Sequence, residues 1–199
     1  MDTFFLAVAL AWVVFWGYWL ITALMTRSPV KRQQSSRWTR ELIVIALVWG
    51  FCVFYSAEFS PGFLVQRTIP NDLAIGLTGT IITLMGLGFA VWARVHLGKY
   101  WSSMPAIRVD HKLIRTGPYS IVRHPIYTGI SFAIAGTAII IGEPLGLIAF
   151  LLILAAYLWK IRTEEKYLLE EFGEDYARYK KEVPALIPLL VWVYAAIQR

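Results

Sequence analysis

Apolar runs long enough to cross a lipid bilayer recur along this chain, and they constrain its fold more than any motif does. An α-helix needs roughly 20 predominantly apolar residues to cross a hydrocarbon core of about 30 Å. Inside that core no water pairs with the backbone, so a spanning segment must satisfy its own N–H and C=O groups, as a helix does. Thr3–Met25, Glu41–Phe59 and Leu73–His96 meet or approach that length. Thr128–Ile141 and Pro144–Trp159 form a shorter apolar hairpin turned at Gly142-Glu143-Pro144. With 58% of its 199 residues hydrophobic and only 16% charged, the chain is excluded from the ordinary soluble class. The sequence therefore predicts an all-α integral membrane protein of about five transmembrane helices. A single membrane domain is expected over 1–199, with N-terminal helices in 1–72 and a compact core in 73–199. The first run is too long for a signal-peptide core and lacks a small-residue cleavage site after it, so it is expected to stay as a membrane helix.

Charge sets the expected orientation. Arg27, Lys31, Arg32, Arg37 and Arg40 follow the first segment, and Lys99, Arg108, Lys112, Arg115 and Arg123 against Asp110 follow the third. The intervening loop up to Asp72 carries only Glu58, Arg67 and Asp72. Cytoplasmic loops are the ones enriched in Lys and Arg, so both basic loops are expected inside. This asymmetry accounts for the net charge of +6 without nucleic acid as a partner. Cys52, the only cysteine, lies in an apolar run and reads as a packed core residue, not as part of a zinc site or disulfide. Gly76, Gly79, Gly86 and Gly88 in the third segment allow close helix approach. Beyond Trp159 the helical spacing continues through Glu164 and Phe172, with Gly173 as an interruption. The apolar tail from Ala185 to Ile197 is too short to read as a sixth span, and an interfacial or packed helix fits it better.

One polar stretch stands out against this background, Gly117-Pro118-Tyr119-Ser120-Ile121-Val122-Arg123-His124-Pro125-Ile126-Tyr127. Its two prolines force the backbone out of helix before each of them, which predicts an ordered turn at the membrane surface. Tyrosines for ring contact, imidazoles for hydrogen bonds and the carboxylates of the last helix suit a polar, partly aromatic ligand. His111, His124 and Glu164 lack metal-ligand spacing, so no metal is expected. No Gly-rich phosphate loop follows a strand and no GxSxG elbow is present, which argues against phosphoryl transfer and serine hydrolysis.

Simpler readings exist for the same residues. Tyr119 and Tyr127, taken singly, are interfacial aromatics, and Arg123 is a lipid headgroup contact. Lys160 and Glu164 have the spacing of a surface ion pair on one helix face. Glu170, Glu171, Glu174 and Asp175 read as a solvated face, and Trp12, Trp16, Tyr18 and Trp19 as packing or interface residues.

The order of several short motifs is more specific than any one of them. His111-Lys112-Leu113-Ile114, Gly117-Pro118-Tyr119, Arg123-His124-Pro125-Ile126-Tyr127, Glu164-Glu165, Phe172-Gly173-Glu174-Asp175-Tyr176 and Val183-Pro184 together resemble the isoprenylcysteine carboxyl methyltransferase family. The resemblance covers roughly His96 to Pro188. It implies a multi-pass enzyme that binds S-adenosylmethionine in a cytoplasm-facing pocket built from the C-terminal half, 73–199, and methylates a lipophilic or lipidated acceptor arriving from the membrane. By the same resemblance, His111, Lys112, Leu113 and Ile114 line the cofactor and Tyr119 closes over it. His124, Pro125, Ile126 and Tyr127 form the opposite wall, and Glu164, with Glu165 beside it, holds a polar group. The family places an arginine one turn before that glutamate, facing the substrate. Here Lys160 occupies that position and Arg162 is the nearest arginine, and lysine offers a point charge where arginine offers a fork.

A carboxylate acceptor is already ionised at neutral pH and needs only a cation, Lys160 or Arg162, to orient it. An amine or thiol acceptor needs a base, for which His124 or Glu164 is available. A loop over Lys99–Arg108, with Trp101 and Met104, is placed to act as a lid that excludes water. Three rival readings share the residues: a phospholipid amine or thiol methyltransferase, an NADPH-dependent reductase of the related sterol branch, and a non-enzymatic protein whose loop binds membrane lipid.

Overall fold

The computed structural model describes residues 3–25, 31–32, 62–98, 106–107 and 113–186. The expected second span at Glu41–Phe59, the lid at Lys99–Arg108 apart from Ala106–Ile107, the cofactor residues His111 and Lys112, and most of the apolar tail lie outside the described residues.

The first helix, α1, spans Thr3–Met25, the bounds its hydropathy gives. A short turn of helix, α2 (Gly62–Val65), precedes α3 (Leu73–Leu97). Asp72 caps α3 by accepting the Ile75 N–H at 2.8 Å, satisfying one of the donors left open in a first helical turn. A 3₁₀ turn, Gly117–Ser120, leads into α4 (Pro125–Ile141) and then α5 (Pro144–Glu182). Pro125 and Pro144 each stand in a first helical turn, where the missing N–H costs nothing. Helix α4 therefore starts three residues before the expected Thr128 and is 17 residues long, about 25 Å at 1.5 Å per residue. The second arm of the hairpin runs on past Trp159, as the helical spacing predicts. It continues to Glu182 through Gly173, whose φ of +52° breaks the helical geometry. Among the described residues, α1, α3 and α5 are long and apolar enough to cross a membrane, and α4 is a shorter apolar helix.

Helix α3 packs along α4 at backbone contact. A Cβ added to Gly86 would lie 2.5 Å from the Gly129 carbonyl oxygen and the Ala133 nitrogen, and one added to Gly136 would lie 2.5 Å from the Gly79 carbonyl oxygen. Between lipid-embedded helices there is little hydrophobic drive for association, so close packing of this kind carries much of the contact energy. Phe15 of α1 joins Leu87, Ala90, Ile130 and Ala133 in the core around this seam. Helix α1 is further tied by Trp12 Nε1, which donates to Thr137 Oγ1 at 3.0 Å.

The polar ends of these helices gather on one side. Arg94, buried near the end of α3, donates to the Thr22 carbonyl of α1 at 3.3 Å and lies 5.9 Å from the Trp19 ring centroid. Two residues from each basic loop, Lys31–Arg32 (β1) and Ala106–Ile107 (β2), pair as a short antiparallel ladder. These two described pairs of residues thus lie side by side. At the other end, the Thr68 and Ile69 N–H groups donate to the Gly142 carbonyl, fastening the loop before α3 to the α4–α5 turn.

Candidate active site

Three segments converge where α5 leaves its apolar stretch: the turn before α4, the Lys160–Glu165 section of α5, and the strand-like segment after Glu182. Gly117 opens the turn with φ +59°, and a Cβ there would lie 2.7 Å from His96 Cε1. Only glycine suits both demands. The His96 ring beneath it is 2.9 Å from Thr116 Oγ1 through Nε2 and stacks toward Tyr119 at 6.4 Å. Tyr119 is buried, and its carbonyl accepts the Tyr179 hydroxyl at 2.5 Å. Burial pushes the Tyr119 phenol well above its ordinary range and raises Tyr179 to about 12, so both are neutral donors at physiological pH.

The next residues lock the turn to the end of α5. Arg123 and His124 donate their backbone N–H groups to the Pro184 and Ala185 carbonyls at 2.8 and 3.0 Å. The Arg123 side chain, 7% exposed with its neighbour His124, donates through Nε and Nη2 to Glu165 Oε1 at 2.9 and 2.5 Å. Its Nη1 donates to the Lys180 carbonyl at 3.0 Å and to the Val183 carbonyl, satisfying acceptors at the C-terminus of α5. Lys180 Nζ lies 2.9 Å from the other Glu165 oxygen. Burial alone would raise the Glu165 carboxyl, but His124, Lys180 and Arg123 together hold it well below the usual carboxylate range.

That depression has a definite consequence. A carboxyl whose folded pKa lies below its unfolded value stabilises the fold above the unfolded value, near 4.5, and that contribution is lost as pH falls toward the folded one. Acid unfolding followed by circular dichroism in detergent is expected to begin below about pH 4.5. Glu165→Gln should flatten this slope, and an unchanged slope would remove Glu165 from the account.

Glu164, one residue on, faces differently. Its side chain is 23% exposed, Tyr127 donates its hydroxyl to Oε1 at 2.5 Å, and Oε2 stands 3.7 Å from His124 Nδ1. The Tyr127 ring carries Lys160 Nζ 5.7 Å from its centroid, and it stacks on Tyr157 at 4.9 Å and toward His124 at 5.9 Å. His124 Nε2 is buried without a hydrogen bond of normal geometry, 3.4 Å from Glu165 Oε1. The partly open Glu164 carboxylate, with the His124 ring beside it, suits a ligand offering hydroxyl, amine or ammonium donors.

The structure therefore brings Tyr119, His124, Pro125, Ile126, Tyr127, Lys160, Glu164 and Glu165 to one end of the bundle, with Leu113 and Ile114 half-buried on the approach to the turn. Arg162 does not share the face of Lys160 and Glu164: two residues along a helix turn it by about 200°. Glu165, expected beside Glu164 in ligand binding, is engaged with Arg123 and Lys180. Arg123 reads from sequence as a headgroup contact, whereas here it is buried at the junction of all three segments. Tyr179 reads from sequence only as part of the helical spacing with Tyr176 and Val183, and the partners of Lys180 and Tyr179 could not be read because they are 15 or more positions away.

The phospholipid methyltransferase family profile matches residues 75–175. A protein-S-isoprenylcysteine O-methyltransferase of Saccharomyces cerevisiae is 42% identical over 86 residues, 41% of this chain and 34% of that protein. Protein-S-isoprenylcysteine O-methyltransferase B of Arabidopsis thaliana is 32% identical over 145 residues, covering 68% of each chain. The Schizosaccharomyces pombe protein-S-isoprenylcysteine O-methyltransferase is 38% identical over 101 residues, 49% of this chain and 43% of that protein, so the chain spans less than half the length of either yeast relative. A solved structure of a eukaryotic intramembrane Ras methyltransferase, isoprenylcysteine carboxyl methyltransferase, shares the fold at a TM-score of 0.54 with 24% identity, over 79% of this chain and 54% of that one.

Proposed function

This chain belongs to the phospholipid methyltransferase family, among the relatives of the protein-S-isoprenylcysteine O-methyltransferases, and from that membership we propose that it transfers a methyl group from S-adenosylmethionine to the carboxylate of a lipophilic, isoprenylcysteine-type acceptor reaching the site from the bilayer. The observation that carries the reading is the pairing of Glu164 and Lys160 about one turn apart on α5, the first held by the Tyr127 hydroxyl and the second over the Tyr127 ring, where the helix leaves its apolar stretch. A carboxylate for the donor and a cation for the acceptor thus stand side by side at the depth where a lipid's polar end lies.

Each residue then has a definite task. Glu164, oriented by the Tyr127 hydroxyl, accepts N–H or O–H groups of the cofactor, and the His124 ring flanks it with Nδ1 3.7 Å from Oε2. Leu113, Ile114 and Tyr119 complete the enclosure, with His111 and Lys112 assigned by family resemblance. When bound, the cofactor supplies an electrophilic methyl whose bond to sulfur breaks, with the electron pair going to sulfur, as the acceptor oxygen forms its bond to carbon. Lys160 orients the acceptor carboxylate by charge, with no proton to remove, so placement supplies most of the acceleration. The cation disfavours an ammonium-bearing acceptor, which is why the carboxylate is preferred over a phospholipid amine. The cofactor-binding core is assigned to 73–199, and the site is assigned to the cytoplasmic face on the charge of the two loops joined there.

The test is transfer of labelled methyl to a panel of S-isoprenyl cysteine acids, phospholipid amines and thiols, with calorimetric binding of S-adenosylmethionine and NADPH alongside. Glu164→Gln should weaken S-adenosylmethionine about tenfold or more, the worth of one charge-assisted hydrogen bond. Full affinity in that variant, or tighter binding of NADPH, would overturn the assignment.

A further inference from the structure

Tyr157, Lys160 and Glu164 stand roughly above one another on α5, spaced three and four residues apart as neighbours on one helix face are. Going along this row, the chemistry changes from phenol ring to cation to carboxylate. The rise is about 4.5 Å for the first step and about 6 Å for the second.

The Tyr157 ring is in a special place. It stacks on Tyr127 at 4.9 Å and packs against the cluster of Phe15, Leu87, Ala90, Ile130 and Ala133. Tyr127 packs in turn against Leu154, Leu158, Ile161, Ala185 and Leu186. The stacked pair therefore joins the two apolar clusters directly on the membrane side of Lys160. Any acceptor whose anionic end sits at Lys160 must begin its hydrocarbon chain beside this stack.

We propose that Tyr157 is a specificity-determining residue that selects the part of the acceptor chain next to its polar end, favouring a planar, unsaturated isoprene unit over a saturated linear chain. The inference rests on the methyl-transfer reading above and deepens it. In an S-isoprenyl cysteine only a few bonds separate the carboxylate from the first isoprene unit, which matches the short step from Lys160 to Tyr157. A flat alkene lies on an aromatic face with closer contact than a flexible saturated chain, and it loses less rotational freedom when it does so.

The experiment compares N-acetyl-S-farnesyl cysteine with N-acetyl-S-dodecyl cysteine in wild type, Tyr157→Phe and Tyr157→Ala. Two readouts are taken: the kcat/KM ratio for labelled methyl transfer, and the ratio of equilibrium affinities measured without methyl donor. Wild type should prefer the farnesyl acceptor in both, Tyr157→Phe should keep that preference, and Tyr157→Ala should lower it about fivefold, chiefly through KM. Calorimetric S-adenosylmethionine binding identifies folded protein, and Tyr157→Leu replaces Tyr157→Ala if the smaller side chain is not recovered folded. An unchanged preference in the variant that removes the ring overturns the role of Tyr157 while leaving methyl transfer standing. Farnesyl-selective binding with no turnover on either acid overturns the methyl-transfer reading while the binding role of Tyr157 survives.

Discussion

Arg123→Ala is expected to lose cofactor binding and most of its folded population in detergent, because one substitution opens all three segments of the site. The guanidinium holds the buried Glu165 carboxylate and two carbonyls near the end of α5. Removing one partner of a buried ion pair costs about 3–5 kcal/mol, since the other charge remains desolvated. That approaches the whole net stability of many domains. Arg123→Lys should recover only part of the loss, as an ammonium cannot serve Glu165 and both carbonyls in one plane. The check is thermal unfolding of Arg123→Ala, Glu165→Gln and the double variant. The double should be less damaging than the sum of the singles, because each single leaves the other group stranded. Strict additivity would mean that the two do not act as a pair.

Gly86→Leu should disrupt the bundle as severely from the other direction. The new side chain would have to enter where even a Cβ meets the Gly129 carbonyl and the Ala133 backbone at 2.5 Å. Backbone cannot step aside as a side chain can, so α3 and α4 must separate. Overpacking costs about 1–3 kcal/mol where side chains can adjust, and this position should exceed that range. Gly88 supplies the control on the same helix: it is exposed, and nothing lies within 4 Å of its added Cβ, so Gly88→Leu should leave unfolding temperature and cofactor affinity unchanged. Equal damage from both substitutions would implicate helix flexibility and not the seam.

How legible this was depends on the range of the signal. Thr3–Met25 and the start of α3 at Leu73 were readable because hydropathy is a local sum and Asp72 supplies a cap at the boundary. Gly79 and Gly86 of α3 announced close packing, which the exposed Gly88 does not share, but their partner could not be read from them: Gly129, Ala133 and Gly136 lie roughly 40 to 60 positions further on. The continuation of α5 past Trp159 was readable from the helical spacing through Glu164 and Phe172, and Gly173 from its place as an interruption; hydropathy alone stops near Trp159, while the helix continues on hydrogen bonds that charge does not interrupt. Lys160, Glu164 and Tyr127 were legible as a group through the family resemblance and helical spacing together. The division of labour between Glu164 and Glu165 was not. Two adjacent glutamates look alike in sequence, and only the arrival of Arg123 and Lys180 on one of them distinguishes the bracing carboxylate from the open one.

The bonds from the Arg123 and His124 amides to the Pro184 and Ala185 carbonyls also order events during biosynthesis. A nascent chain threads its earlier helices into the bilayer as they emerge, yet the turn bearing His124 lacks these partners for its amides until α5 and the residues behind it have left the ribosome. Fastening of this junction is thereby deferred until Pro184 and Ala185 have emerged, and a chain stalled before Pro184 would be membrane-inserted with the turn still loose.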